Sequence, residues 1–472
     1  MNETQKSVRP FGLRDKIGYM FGDFGNDFTF IFASSFLMVF YTKVLGIDSK
    51  LVGIMFVIAR LLDAFTDVGM GRIVDKCKPR SDGKFRPWIR RMCGPVAIFS
   101  FLMYQSSLAG ASMNVKIVYM FVTYLLWGSI FYTSINIPYG SMASAISGEP
   151  SDRTGLSTFR GIGASLAGLF IGVGAPLVIY TKDEAGNQIV NAPAFTLIAG
   201  VFSVLAIICY LLCYYMTLER VHISASQSGQ SVTFAQTMKA TFTNRALLAI
   251  IGAAIGLLLS QLLVQSMNNY LYADYFNDIR PLAISSVINT GFALVIAGIT
   301  SPLSKKYGKK ELAVVGTFFS GILYFILYFL KIQNPWVFVI LSSIGFIGVN
   351  FFNMIIWANI TDVIDYQEVV TGKREDGIVY SVYSFARKVG QALAGGTAGW
   401  ALAAIGYQET ATVQTKQVVQ GLYLVDTLIP AILFFLVAMI LAFFYPLTKK
   451  MVEENTQILK ERHNGGNHGV SN

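Results

Sequence analysis

Apolar runs of about twenty residues recur along the chain, broken by short polar stretches, and a helix that crosses a bilayer needs about that many. The pattern predicts spans near 17–41, 50–71, 92–110, 116–138, 155–180 and 194–217. After a polar stretch, spans resume near 246–272, 283–302, 311–330, 336–359, 377–405 and 420–446. The expected architecture is an all-α integral membrane protein of about twelve transmembrane helices. A first six-helix bundle takes 1–217, a cytoplasmic central loop 218–245 and a second six-helix bundle 246–450. The polar tail 451–472, which contains Gly, Asn and His, is expected to be disordered. The N-terminus, MNETQKSVRPFGLRDKIGYM, lacks the short apolar core and cleavage site of a signal peptide, so the first run is expected to remain as a span.

Composition agrees with a lipid environment. Hydrophobic residues make up 54% and charged residues 14% of the 472, against roughly 25% charged in soluble domains. The net charge is +10, but the Lys and Arg lie between the apolar runs, which fits cytoplasmic loops better than a nucleic-acid surface. One alternate set of loops holds Arg72, Lys76, Lys78, Arg80, Lys84, Arg86, Arg90, Arg91, Lys305, Lys306, Lys309, Lys310, Lys373, Arg374, Lys449 and Lys450. The opposite set holds only Lys43, Lys50, Lys116, Lys182, Arg280, Lys331 and Lys416. Both termini are therefore expected in the cytoplasm, with an even number of spans, in the inner membrane of a bacterium.

Several chemistries find no support. Cys209 and Cys213 share a helix face without a His or carboxylate, and Cys77 and Cys93 stand apart, so buried small hydrophobes are expected rather than a metal or disulfide site. His222, His463 and His468 all lie outside the runs, and no GxxxxGK[ST] phosphate loop occurs. Neither a histidine proton relay in the membrane nor ATP drive is expected, and neither is a membrane enzyme. No cofactor is expected beyond a coupling ion, H+ or Na+. Each half instead carries a basic loop after its second span, GRIVDKCKPRSDGKFRPW and SPLSKKYGKKEL. Repeated halves around a site are a common plan of secondary transporters, and the spacing resembles the major facilitator fold.

An ionisable residue in mid-span costs about 2.5–3.5 kcal/mol by insertion and is a functional candidate by default. In FGDFGNDF of the first run, Asp27 lies deeper than Asp23, and Gly22 and Gly25 thin the helix for a solute or a neighbour. Asp27 either binds solute or pairs with a base elsewhere. In ARLLDAFTDVGMG, Arg60, Asp63 and Asp67 share one face. Two carboxylates one turn apart repel when ionised, which favours a proton on one or a cation between them. Thr66 and Thr133 have hydroxyls to add, so Asp63 and Asp67 are the candidate site for a proton or a sodium. Arg60 as a structural neutraliser is the alternative. In FYTSINIPYGS, Tyr132 and Asn136 are one turn apart, and Pro138 is expected to bend or end the helix. Asn136 holds a solute hydroxyl or a neighbouring helix. Arg160, in STFRGIGASLAG, binds or gates, or reaches the interface. In DGIVYSVYSFARKVGQALAGG, Arg387 and Lys388 point about 100° apart. Ser381, Ser384 and Lys388 share one face, and Tyr380, Tyr383, Arg387 and Gln391 another; at least one base is expected to line the cavity.

With ARLLDAFTDVGMGRIVD, DGKFRPWI, SINIPYGSM and TGKREDGIVYSVYSFARKVGQALAGG in this order, the chain resembles the glycoside–pentoside–hexuronide cation symporter family from Gly18 to about Lys450. The resemblance implies two six-helix bundles around a central sugar cavity. It implies that Asp27 and Arg160 bind the glycoside and that Asp63, Asp67 and Thr133 match the cation site of melibiose carriers. Thr66 falls where those carriers have an asparagine, and Lys388 matches a basic residue that links the two sites. Melibiose carriers have an aspartate at the position of Asn136 and a tryptophan at that of Gly140, which speaks against a galactoside and against sodium. NIPYGS and SFxRKxGQA, at 136–141 and 384–392, look like bacterial glucuronide carriers.

The expected function is import of a glycoside, pentoside or hexuronide by symport with a cation, a proton rather than sodium, by a monomer in a lipid bilayer. The rival is an antiporter or exporter of amphiphiles, or a lysolipid transporter, on the same fold. Solute contacts are expected from Asp27, Tyr132, Asn136, Arg160, Tyr383, Ser384, Arg387 and Lys388. The acids Asp27, Asp63 and Asp67 face the bases Arg60, Arg160, Arg387 and Lys388, three against four, which favours a carboxylated solute. Counting Asp23 removes that excess.

Overall fold

The apolar runs form helices because, away from water, backbone N–H and C=O groups find partners only within the helix itself. A computed structural model describes residues 9–221, 244–372 and 376–465. Six helical segments occupy the first half: α1 (Leu13–Val44), α2 (Ser49–Lys76), α3 (Arg86–Leu102), α4 (Met113–Ile146), α5 (Pro150–Ile179) and α6 (Ala192–Met216). A two-stranded hairpin, β1 (Tyr180–Lys182) with β2 (Gln188–Val190), joins α5 to α6. Six more follow: α7 (Arg245–Tyr275), α8 (Arg280–Tyr307), α9 (Lys309–Leu330), α10 (Pro335–Thr371), α11 (Asp376–Ala404) and α12 (Lys416–Phe444). Most of the central stretch, 222–243, lies outside the described residues, as do Lys373, Arg374 and the last residues, 466–472.

Ten of the twelve are long and apolar enough to cross a membrane. The other two, α2 and α11, have 28 and 29 residues and are set apart by polar and charged residues within them. They carry Arg60, Asp63 and Asp67, and Arg387 and Lys388. The outer faces are apolar: Phe65, Leu197, Val315 and Phe443 are each more than 60% exposed, as suits a lipid-facing surface. Polar side chains turn inward instead, among them Asp23, Asn26, Thr29 and Asp63.

The chain divides into two compact units, Met1–Gly229 with Gln408–Val413, and Gln230–Tyr407 with Gln414–Asn472. In the first unit α1 packs on α5 and α6, α3 on α4 and α6, and α2 on α4. In the second, α7 packs on α11 and α12, α9 on α10 and α12, and α8 on α10. The same pairing scheme thus recurs, helix for helix, in each unit.

Two local expectations are corrected. Pro138 does not end its helix, which runs on to Ile146. A π-helical segment from Leu126 to Tyr132 precedes it, ending six residues before Pro138; such bulges are frequent at functional sites. Of the tail expected to be disordered, 466–472 lie outside the described residues, and the part up to Gly465 is helical, in α13 (Lys449–Gly465). Its Leu459 is buried, and Arg462 donates to the carbonyls of Glu368 and Val369 at the end of α10, each at 3.3 Å. A cation at the C-terminus of a helix meets carbonyls that have no partner within the helix.

In the second unit α9 and α10 touch backbone to backbone, and a Cβ on Gly348 would run into the Gly316 carbonyl. Overpacking of this kind costs about 1–3 kcal/mol. Gly348→Ala is expected to lower the thermal midpoint of the purified protein, read by intrinsic fluorescence; an unchanged midpoint would show that the crossing is loose.

Candidate functional site

In the first unit the site is built on α1, α2, α4 and α5. Arg160 of α5 donates from Nε to Asp23 Oδ1 of α1 at 2.9 Å. Asp23 is 7% exposed, whereas the Arg160 side chain is 43% exposed. The pair therefore has its acid inside the bundle and its base open. Tyr139 of α4 supports both: its ring stacks on Tyr19 with centroids 4.6 Å apart, its hydroxyl donates to the Tyr19 carbonyl at 2.7 Å, and the Arg160 guanidinium lies 5.4 Å from its ring. Gly22 makes this possible, because a Cβ there would strike the Tyr139 ring.

Asp27 lies one turn beyond Asp23, within electrostatic reach of both Asp23 and Arg160, and makes no hydrogen bond among the described residues. Beside it, Asn26 is 1% exposed; its Nδ2 donates to Asn136 Oδ1 at 3.4 Å, and its Oδ1 accepts from Tyr210 at 2.8 Å. Asn136 therefore does bond a neighbouring helix. Tyr132 stacks on Phe30, at 5.6 Å, and lies tilted against Trp127, at 5.3 Å.

A second cluster joins α2 to the π-helical segment of α4. Ser129 donates to Asp63 Oδ1 at 2.5 Å, and Arg60 Nη1 donates to Asp63 Oδ2 at 3.2 Å. The Arg60 guanidinium also lies 5.0 Å from the Phe30 ring. Thr133 donates to Asp67 Oδ1 at 2.7 Å. Thr66 turns to its own helix and donates to the Asp63 carbonyl at 3.2 Å. The wider turn of a π-helix brings both hydroxyl donors, Ser129 and Thr133, onto the carboxylates of α2. Charge-assisted hydrogen bonds of this length are among the strong ones.

In the second unit, Tyr383 of α11 is 1% exposed and meets Trp357 of α10 edge to face at 5.3 Å. The Arg387 guanidinium lies 5.4 Å from the same Trp357 ring. Ser384 and Lys388 are half-buried on α11. Nothing is described of the side chains of Tyr380 and Ser381.

Sequence reasoning missed Ser129, Asn26, Tyr139 and Trp357. Tyr139 sat inside the quoted SINIPYGSM and Asn26 beside Asp27, so position alone marked both. Ser129 and Trp357 carry no such mark, because a serine or a tryptophan is unremarked within an apolar run. The structure also assigns Asp23 to Arg160, so the charge inventory becomes four acids against four bases and no longer argues for a carboxylated solute.

Comparison with known proteins follows from this geometry. The family described as MFS/sugar transport protein matches residues 18–449. An uncharacterized symporter, YjmB of Bacillus subtilis, is 33% identical over 462 residues, covering 98% of this chain and 97% of the relative. A glucuronide carrier protein homolog of Escherichia coli is 31% identical, covering 93% of this chain and 94% of its own length. In three dimensions the chain is similar to the inward-open xylose transporter XylE of E. coli, with a TM-score of 0.60, 13% identity and coverage of 94% and 98%. At that identity the likeness concerns the fold.

Proposed function

We propose that this chain, which belongs to the family of MFS/sugar transport proteins, imports a glycoside, pentoside or hexuronide by symport with a cation, a proton in preference to sodium. A multi-pass membrane transporter of this family is not an enzyme; its task is to bind a solute and an ion and to couple them. The observation that carries the proposal is the pair of clusters in the first unit. Asp23, Asp27 and Arg160 present hydrogen-bonding groups of both signs, as a polyol requires. Asp63 and Asp67, each with a hydroxyl donor, form a separate carboxylate site. The Lys and Arg of the loops support a cytoplasmic position for both termini in a bacterial inner membrane.

Proton coupling is favoured because Asn136 replaces an acid and bonds Asn26 instead, leaving fewer anionic oxygens for a hard cation. A hexuronide is the narrower reading. It is supported by the similarity to a glucuronide carrier homolog and by Arg387, a base that can grip a carboxylate with two parallel hydrogen bonds. Gly140, at a position where melibiose carriers have a tryptophan, supports a solute other than a galactoside. Proteins named as exporters also occur among the relatives, so the direction of transport belongs in the test.

The test is uptake into right-side-out vesicles under an imposed proton gradient. A labelled glucuronide is expected to enter and concentrate, to compete with unlabelled glucuronide better than with the matching glucoside, and to gain nothing from sodium at constant potential. Equal competition by the glucoside would replace the hexuronide by a neutral glycoside. Stimulation by sodium would overturn proton coupling, and net extrusion would overturn import.

A further inference from the structure

The second unit encloses an acid that no part of the proposed site uses. Asp426 stands ten residues into α12, about 15 Å along the helix, in the run QGLYLVDTLIPA. It is 1% exposed, and among the described residues neither carboxyl oxygen has a hydrogen-bond partner. Its polar surroundings are phenols: Tyr272 of α7, Tyr324 of α9 and Tyr423 of α12 itself lie within electrostatic reach. Tyr423 is committed elsewhere, donating to the Leu327 carbonyl at 2.6 Å, and Tyr272 engages Ser342. The charged groups of α7 and α9, the helices packed on α12, sit at the helix ends: Arg245, Asp274, Lys309, Lys310 and Glu311. Among the described residues none of them acts on Asp426.

A bare carboxylate is not tolerated in such a place. Bringing an ion from water into an apolar interior costs several kcal/mol unless a partner offsets it. A hard metal cation would need a shell of oxygen ligands, and the described residues form no cluster of that kind. A proton neutralises the group without any ligands. We propose that Asp426 is a proton-binding site, separate from the Asp63 and Asp67 cluster of the first unit, that is filled at neutral pH and whose emptying sets an alkaline limit on the stability of the protein.

The direction of the pH effect follows from proton counting. The unfolded chain releases this proton above about pH 3.9, while the native chain keeps it. Wherever the native state binds more protons than the unfolded state, stability falls as pH rises. Wild type should therefore lose stability towards alkaline pH, and a variant with an uncharged side chain should be spared that part of the loss.

The experiment uses the full-length protein in lipid nanodiscs. Infrared spectra at neutral pH are expected to show the high-frequency carbonyl band of a protonated carboxyl without hydrogen bonds. Asp426→Asn and Asp426→Leu are expected to lack it. Thermal midpoints followed against pH are expected to fall more steeply for wild type than for either variant, the gap widening as pH rises. An identical carboxyl band in wild type and variants, or parallel midpoint curves, overturns the proposal. Should neither variant fold, the wild-type spectrum decides: absence of the band at neutral pH overturns it, and presence with loss at alkaline pH supports it.

Discussion

Vesicles containing Asp67→Asn will equilibrate solute and will not concentrate it. Among the contacts that define the α2–α4 cluster, Asp67 Oδ1 accepts from Thr133 at 2.7 Å, while Asp63 accepts from both Ser129 and Arg60. Arg60 and Ser129 thus hold Asp63 in place, and Asp67 stands one turn further along α2 in the same cluster. An ion that no longer binds cannot shift the carrier between its states, because a ligand moves an equilibrium only by its differential affinity. The accumulation ratio under a proton gradient should fall to unity while counterflow persists. Asp63→Asn should also abolish accumulation, with an added cost. The side chains of Arg60 and Asp63 are 17% and 12% exposed, and breaking a buried pair by removing one partner costs about 3–5 kcal/mol. The thermal midpoint should therefore fall for Asp63→Asn. Normal accumulation by both variants would show that coupling resides elsewhere.

Arg160→Gln will lose transport of any solute, and the loss will have two separable parts. Removing the guanidinium leaves Asp23, 7% exposed, without its base and next to Asp27. Truncating one partner of a hydrogen-bonded charge pair costs about 2–5 kcal/mol, the lower end of which is a factor of roughly thirty. Part of that cost is the stranded carboxylate, and the double variant Asp23→Asn/Arg160→Gln removes it. The double variant should recover the thermal midpoint of wild type and stay inactive in uptake, because the open side of Arg160, 43% exposed, is where a solute hydroxyl or carboxylate would be held. Recovery of uptake together with stability would show that the pair only braces α1 against α5.

The helices were legible because each apolar run is long and each polar break short. Asp27, Asp63, Asp67, Arg160, Arg387 and Lys388 were legible for the converse reason, a charge being conspicuous in an apolar run. Asp426 was legible by the same rule and was passed over. The α13 helix was readable too: Lys449–Glu453 and Lys450–Glu454 stand four apart, at 3.9 and 3.8 Å, and Leu459 marks the docked face. Composition alone argued for disorder there, and an amphipathic docking surface prevailed.

Partnership was decided only by the tertiary structure. Asp23 and Arg160 are 137 residues apart, and Ser129 is 66 residues from Asp63; no spacing along the chain announces either contact. Chance placement did not bring them together: α1 packs on α5, and α2 on α4. The π-helical segment at Leu126–Tyr132 likewise carried no signal along the chain. Along the chain, hydropathy and charge determined which residues enter the membrane and that some are costly there, since transfer energy is local to each side chain. Which acid is neutralised by which base depends on the distance between helices, and that distance exists only once the bundle has packed.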